Sequence, residues 1–403
     1  MDVAVLFSRF GPYHVARLAG AGAYFQNHNG MAYGIEVAGS DEANHYYWKD
    51  VDRRDVYEHI TLAPNEDYSS LARDRVADLV HDALTEIRPD AVAINGWSFA
   101  EARAALNWCR RTDTPRILMS TSQYFDYSRS VAKEFVKRGL VAPFHSGFVG
   151  GKTHQDYLVR LGMDEDNIVL GYNAVDNDYF REATDEVRAS AESHRARLDL
   201  PESYFLVVGR MVPEKNLHRL IEAYDAFRDE SQNARRPDLV ILGDGPLRSE
   251  IETLVEERDL SEHIHFPGFV QYDELPAYYA LAYALLLPSV KDTWGLVVNE
   301  AIASGLPVLV SDRCGCAPHL VNDGTNGFVI SPEPVDAIRE GMTKLAALSA
   351  TDHESMAKAS ASMIEKWGPQ RFAEGLWQAA EIACQRAPHH STPLYARMIS
   401  TFA

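Results

Sequence analysis

Tyr204-Phe205-Leu206-Val207-Val208-Gly209-Arg210-Met211-Val212-Pro213-Glu214-Lys215-Asn216-Leu217 is the stretch on which the fold turns. Tyr204 to Val208 is an apolar run of strand length, Gly209 to Asn216 reads as a loop, and Leu217, Leu220, Ile221 and Tyr224 recur at helical spacing. Working outward, strand-like runs return at Leu239 to Leu242, Ile264 to Phe266, Ala284 to Leu287, Pro307 to Val310 and Gly327 to Ile330, each separated by a segment of helix length. Alternation of this kind is the pattern of a parallel sheet covered by helices on both faces.

Towards the amino terminus the pattern repeats. Val3 to Phe7, Ala91 to Asn95 and Arg116 to Met119 read as strands, and a Gly11-Pro12 turn leads from the first into a helical pattern. Val76, Leu79, Val80, Ala83, Leu84 and Ile87 line one face of a further helix. The charged stretch near residues 181 to 200, closed by Pro201, reads as an interdomain connection. The chain is therefore expected to form an α/β protein of two Rossmann-like, doubly wound domains, residues 1–178 and 179–369. Helical patterns in the tail are interrupted at Gly368-Pro369, and residues 370–403 are expected to complete the first domain.

A chain of 403 residues, 46% hydrophobic and 24% charged, is long enough for two cores. The longest apolar runs, such as Ala282 to Pro288, are far too short to span a bilayer. Val3 to Phe7 follows Asp2 with no basic region before it, which argues against a secretory signal and makes the cytoplasm the expected location. Fifty-eight acidic residues against thirty-nine basic ones give a formal charge of −19, which disfavours nucleic acid as a partner. Four cysteines suggest no disulfide framework, and Cys314-x-Cys316 lacks the paired spacings of a zinc site.

Ligands of open parallel sheets bind beyond the carboxyl ends of the strands, so the loops there carry the chemistry. In the first of these, Gly209 lets backbone approach a ligand, and Arg210 and Lys215 beside a helix start suit a diphosphate. The bland alternative is a solvated turn in which Glu214 and Lys215 pair. Gly243-Asp244-Gly245-Pro246 is assigned to fold geometry. The loop Asp292-Thr293-Trp294-Gly295-Leu296 enters a helix that carries Glu300. If that helix begins near Gly295, its free amides face a phosphate, and Asp292 and Glu300 can accept hydrogen bonds from sugar and ribose hydroxyls. Their alternatives are a helix-capping Asp292 and an ordinary helical Glu300.

Together with Leu242-Gly243-Asp244-Gly245-Pro246 and His265-Phe266-Pro267-Gly268-Phe269-Val270, these segments resemble family 4 glycosyltransferases. The resemblance implies the GT-B fold, two Rossmann-like domains facing across a cleft. It implies retaining transfer of a hexose-type sugar from a nucleoside-diphosphate sugar, a co-substrate, to a hydroxyl acceptor, with no metal and no cofactor. By the same resemblance residues 179–369 bind the donor. Arg210 and Lys215 neutralise its diphosphate, Glu300 holds the ribose, and Asp292 contacts the transferred sugar. Arg210, Lys215 and Asp292 form the expected catalytic set. The amides of Gly295 and Leu296 meet phosphate or sugar oxygens, Phe269 and Val270 lie near the base, and Thr293 belongs to the same loop. Asp292 stands where the family usually has Glu, one methylene longer, and Trp294 either walls the sugar pocket or packs.

Residues 1–178 match less closely, as befits a domain for an acceptor that differs among members. Gly11 in the first loop, with His14, and Asn95-Gly96-Trp97 after a later strand are candidates for the acceptor side. His14 is either a substrate contact or a helix-surface histidine. The loop Ser120 to Tyr124 lacks the histidine that many relatives carry there, and Ser122 or Gln123 is the substitute. Gly171 to Asp176 is expected at the hinge. Arg129, Lys133, Lys137 and Arg138 against Glu134 depart from the acidic average. They read first as a solvated helix face, with a phosphate-bearing acceptor or peripheral membrane contact as the alternatives. Surface polysaccharide, glycolipid or glycoside biosynthesis is the expected setting. The rival readings are a nucleotide-sugar epimerase, a noncatalytic nucleotide-sugar-binding protein and a dinucleotide-dependent oxidoreductase. The last is disfavoured because Gly11-Pro12 does not complete a Gly-x-Gly-x-x-Gly fingerprint.

Overall fold

In the computed structural model, residues 1–40, 56–127, 129–230 and 236–402 are described. The chain divides into two compact units, Met1–Val175 with Trp367–Ala403, and Asp176–Lys366.

The first unit opens with β1 (Val3–Phe7), α1 (Pro12–Asn27), β2 (Ala32–Ser40), β3 (Glu58–Asp67), α2 (Arg73–Ile87), β4 (Ala91–Asn95) and α3 (Ala100–Thr112). β5 (Arg116–Ser120), α4 (Val131–Val141), β6 (Ser146–Val149), α5 (Lys152–Arg160) and β7 (Ile168–Leu170) follow. Its seven strands run in the order β3-β2-β1-β4-β5-β6-β7, with every pair parallel. β1 is buried at all five positions because both faces of the sheet are covered, which is why it reads as an unbroken apolar run. β2, β3, β6 and β7 were not legible as strands. β3 is an edge strand of mixed polarity that tolerates Pro64, and β7 has three residues.

The second unit contains α6 (Asn177–Ala189), α7 (Ala191–Leu198), β8 (Tyr204–Val208), α8 (Leu217–Glu230), β9 (Asp238–Leu242), α9 (Arg248–Glu257), β10 (Ile264–Gly268), α10 (Leu275–Leu281) and β11 (Ala284–Leu287). It closes with α11 (Leu296–Ala303), β12 (Val308–Ser311), α12 (Ala317–Leu320), β13 (Gly327–Ile330), α13 (Val335–Ala346) and α14 (Ala350–Ile364). The strand order is β10-β9-β8-β11-β12-β13, again all parallel. The chain then returns to the first unit through α15 (Pro369–Arg386) and α16 (Leu394–Phe402).

Residues 181–200, expected as a connection, are instead the helices α6 and α7 of the second unit. Their charge belongs to solvent-facing helix surface, while Phe180, Thr184 and Val187 are buried. The division falls at Asp176, whose carboxylate caps α6 by accepting from the Tyr179 amide at 3.1 Å. α15 is part of the first core. Phe372, Leu376, Ala379 and Ala383 are fully buried, and the Ser146 hydroxyl donates to the Ala379 carbonyl at 2.7 Å. Truncating a core side chain such as Phe372 to alanine costs roughly 3–5 kcal/mol. Among the described residues no helix is long and apolar enough to cross a membrane.

Candidate functional site

The strand order places the topological switch point of the second sheet between β8 and β11, where chain connections depart in opposite directions and leave a crevice. The loops leaving these two strands are joined to each other. Asn216 donates from Nδ2 to the carbonyls of Pro288 (3.1 Å) and Pro332 (2.8 Å), and the Val290 amide donates to the Glu214 carbonyl at 2.9 Å. Across this seam the Lys215 ammonium meets the Asp292 carboxylate at 2.6 Å, both side chains being largely buried. Burial disfavours the Lys215 cation, but the adjacent carboxylate more than offsets it and holds the pKa above its ordinary value. The solvated-turn alternative, Glu214 pairing with Lys215, is not what forms: Glu214 lies 3.5 Å from Lys291. Arg210, on the same loop as Lys215, is exposed.

Glycines set how closely these loops lie. Gly243 has φ +125°, and a Cβ there would collide with the Gly209 carbonyl oxygen; one at Gly245 would lie 2.5 Å from the Met211 oxygen. The Gly209 amide donates to the Leu242 carbonyl, Met211 to Asp244, and Gly243 to Gly268. Gly243-Asp244-Gly245 thus supports the arginine- and lysine-bearing loop from behind. Phe269, half exposed, and Val270, nearly buried, continue from the Gly268 end of this ladder.

The Asp292 loop ends at Gly295, φ +94°, which is the N-cap of α11, so the first two amides of the helix, Leu296 and Val297, sit at that mouth, while that of Val298 donates to the Gly295 carbonyl at 2.9 Å. Thr293 is exposed beside it. Trp294 packs: it is 2% exposed and its indole N–H is taken by Asn299 Oδ1 at 2.8 Å. Glu300 is brought onto the same helix but is fully buried, accepting a hydrogen bond from the Tyr279 hydroxyl. The Arg313–Cys316 segment backs the loop, with the Gly315 amide donating to the Asp292 carbonyl and Cys316 to Trp294. All four cysteines are free thiols. Burial, reinforced by Asp292, pushes Cys314 and Cys316 well above the usual thiol range, so both are protonated, inert packing groups. This backing gave no signal in the sequence, since it comes from a strand end twenty residues away.

In the first unit the switch point lies between β1 and β4. Here the sequence pointed to Asn95 but missed its partner, Glu101. That buried carboxylate accepts from the Ser8 hydroxyl (2.6 Å), Asn95 Nδ2 (2.9 Å) and the Tyr68 hydroxyl (2.7 Å). Asn95 Oδ1 is buried without a hydrogen-bond partner. One strand over, Glu36 accepts from the Phe10 amide, His59 and Thr61. Burial raises its pKa, and these donors more than reverse the effect, so it lies below the usual value.

Gly11 is the N-cap of α1, and its amide donates to His14 Nδ1 at 3.0 Å. His14 also packs against Phe7, with ring centroids 4.4 Å apart. Burial, helped by the charge of Arg17, lowers its pKa to about 3. The ring is therefore neutral with its proton on Nε2, a helix cap rather than a free surface histidine. Ser122 is partly exposed and its amide donates to Ser120 Oγ. Gln123 is not available to a ligand. It is fully buried, its Nε2 donates to Asp126, its Oε1 accepts from Thr153, and its carbonyl accepts from Arg129.

Residues 190–363, nearly the whole second unit, match the family profile described as glycosyl transferases group 1. This segment belongs to that family. The chain is 31% identical over 166 residues to the α-D-kanosaminyltransferase of Streptomyces kanamyceticus, covering 40% of this chain and 42% of the relative. The α-monoglucosyldiacylglycerol synthase of Acholeplasma laidlawii is 24% identical over 263 residues, covering 61% and 64%. The chain thus matches about half the length of these relatives. Anabaena HepE, solved with UDP and glucose, superposes with a TM-score of 0.69 at 16% identity over 94% of this chain and 99% of that one. That likeness, with the two parallel sheets, establishes the fold as GT-B.

Proposed function

We propose that the chain is a retaining glycosyltransferase of family 4 that moves a hexose-type sugar from a nucleoside-diphosphate sugar to a hydroxyl acceptor without a metal ion. The observation that carries the reading is the Lys215–Asp292 pair at the β8/β11 switch point, with Arg210 on the same loop and the amino end of α11 beside it. Two cations on one loop, with helix amides beside Lys215, suit a diphosphate leaving group. Negative charge develops on that group as the anomeric carbon becomes oxocarbenium-like, and fixed donors stabilise it without reorganisation. Two cations and a helix end lessen the need for magnesium. Asp292, short and bonded to Lys215 through Oδ2, orients the ammonium. Its Oδ1, which accepts from the Trp294 amide at 3.3 Å, is the oxygen assigned to the transferred sugar. Assigning the ribose to Glu300 requires its carboxylate to be uncovered from beneath Tyr279. The acceptor contacts are assigned to Gly11, Asn95 and Ser122 of the first unit.

The names of the relatives support a hexose-type sugar, and the UDP complex of HepE supports a nucleotide donor. Glycolipid, polysaccharide or glycoside assembly is the biological role we infer. Lys215→Ala tests the reading directly. At saturating acceptor its transfer rate falls by roughly 10²–10³-fold while melting stays cooperative. Unchanged turnover and donor affinity would overturn the assignment. Product analysis without acceptor separates transfer from epimerisation, which needs no second substrate.

A further inference from the structure

Among the described residues, half of the large apolar side chains left in solvent lie on two helices of the first unit. On α4, Val131 is 90% exposed and Phe135 53%, with Val136 beside them; on α16, Leu394 is 76% exposed and Met398 58%. The two helices form one surface. Phe135 stacks on Tyr395 with ring centroids 5.4 Å apart, and Ala396 is fully buried. Gly139 admits α16, since a Cβ there would stand 2.6 Å from Ile399 Cδ1. Isolated exposed apolar residues need no explanation, but a contiguous strip of them on two packed helices marks an interaction surface.

The charge of the same surface is inverted relative to the chain. Lys133 and Arg138 on α4 and Arg397 on α16 are exposed, in a protein of net charge −19. The carboxylate on α4, Glu134, is already committed to Lys137 at 3.2 Å and Arg129 at 3.6 Å. Apolar side chains flanked by exposed cations, here Lys133 and Arg138, are what an interfacial helix presents to a bilayer: the apolar groups enter the boundary below the headgroups and the cations meet anionic lipid. A second copy is a poorer match, because a two-fold contact through this face sets its cations against their own equivalents.

We propose that the α4–α16 face docks the protein on the surface of a membrane containing anionic lipid. The inference goes beyond glycosyl transfer and stands or falls independently of it. It is tested by co-sedimenting the full chain with phosphatidylcholine vesicles, with and without about a third phosphatidylglycerol, at low and high salt. Binding is expected to the anionic vesicles and to weaken with salt. Lys133→Glu with Arg138→Glu reduces partitioning at least about tenfold, since each basic residue near such a surface contributes roughly fivefold. Val131→Ser with Phe135→Ser reduces it at every salt concentration, with the melting temperature of each variant checking the fold. Absence of anionic-lipid binding at low salt, or binding that neither pair alters, overturns the proposal. So does a dimer in sedimentation velocity that Val131→Ser with Phe135→Ser dissolves, which would assign the face to a second copy.

Discussion

At the β8/β11 switch point an ammonium and a carboxylate from separate loops meet within reach of solvent. At the β1/β4 switch point a fully buried carboxylate is satisfied by two hydroxyls and an amide. The backbones differ in the same sense. Gly243 is packed so tightly against the Gly209 loop that no side chain fits, whereas Gly96, after β4 with φ +80°, has nothing within 4 Å of a Cβ position. One crevice has its loops locked to one another around an ion pair. The other is roomy, and its internal bonds hold backbone in place while leaving the surface free to vary. The comparison explains why family motifs concentrate in one unit: charge placed to within a hydrogen-bond length tolerates little change in residue or spacing.

Substitution at the two glycines should break this contrast most visibly. Gly243→Ala combines backbone strain with a collision against main chain and should cost about 3 kcal/mol or more, with loss of nucleotide binding; Gly96→Ala carries strain alone, about 1 kcal/mol. Denaturant melts of both variants check the difference, and equal costs would erase the distinction between a locked and an open crevice. Glu101→Gln should come next, at roughly 1–3 kcal/mol, because an amide group must then face donors that a carboxylate accepted. Its effect should appear in melting while nucleotide affinity stays unchanged, since the second switch point does not use it.

For each histidine, pH acts on a scale like that of Glu101→Gln. His14 and His145 are held neutral with pKa values lowered to about 3, by burial first and then by Arg17 and Arg116 respectively. The unfolded chain takes up these protons near pH 6.5 and the folded one only near 3. Their contribution is therefore complete above pH 6.5 and lost as pH falls through that window. By pH 5 the cost is on the order of 1–2 kcal/mol per histidine. Hydrogen exchange at pH 7 and pH 5 should show the loss in the first unit, and a His145→Phe variant should flatten it.

The fold was readable where strands are buried on both faces. β1, β4, β8, β9 and β11 are short apolar runs closed by glycine, proline or a polar loop, and the sequence needs no further context to mark them. β3 was not readable, because an edge strand carrying Glu58, Asn65 and Asp67 has neither an apolar run nor clean alternation. Helices α6 and α7 read as a linker because their exposed faces outnumber the few residues they bury. In the site, Arg210, Lys215 and Asp292 were legible as residue types next to a helix start, but the Lys215–Asp292 bond was not, since it spans seventy-seven positions. Trp294 and Gln123 show the reverse case: polar or aromatic residues in functional loops whose side chains the fold consumes itself. His14 was ambiguous until the Gly11 amide fixed its tautomer.

Titration calorimetry of the intact chain with UDP and GDP, each against its own nucleoside, tests the central claim most directly. A diphosphate anchored by Arg210 and Lys215 should bind at least about tenfold more tightly than its nucleoside, a difference of about 1.4 kcal/mol, and Arg210→Ala should remove most of that margin. Binding that ignores the phosphates, or that survives Arg210→Ala and Lys215→Ala unchanged, would contradict the account.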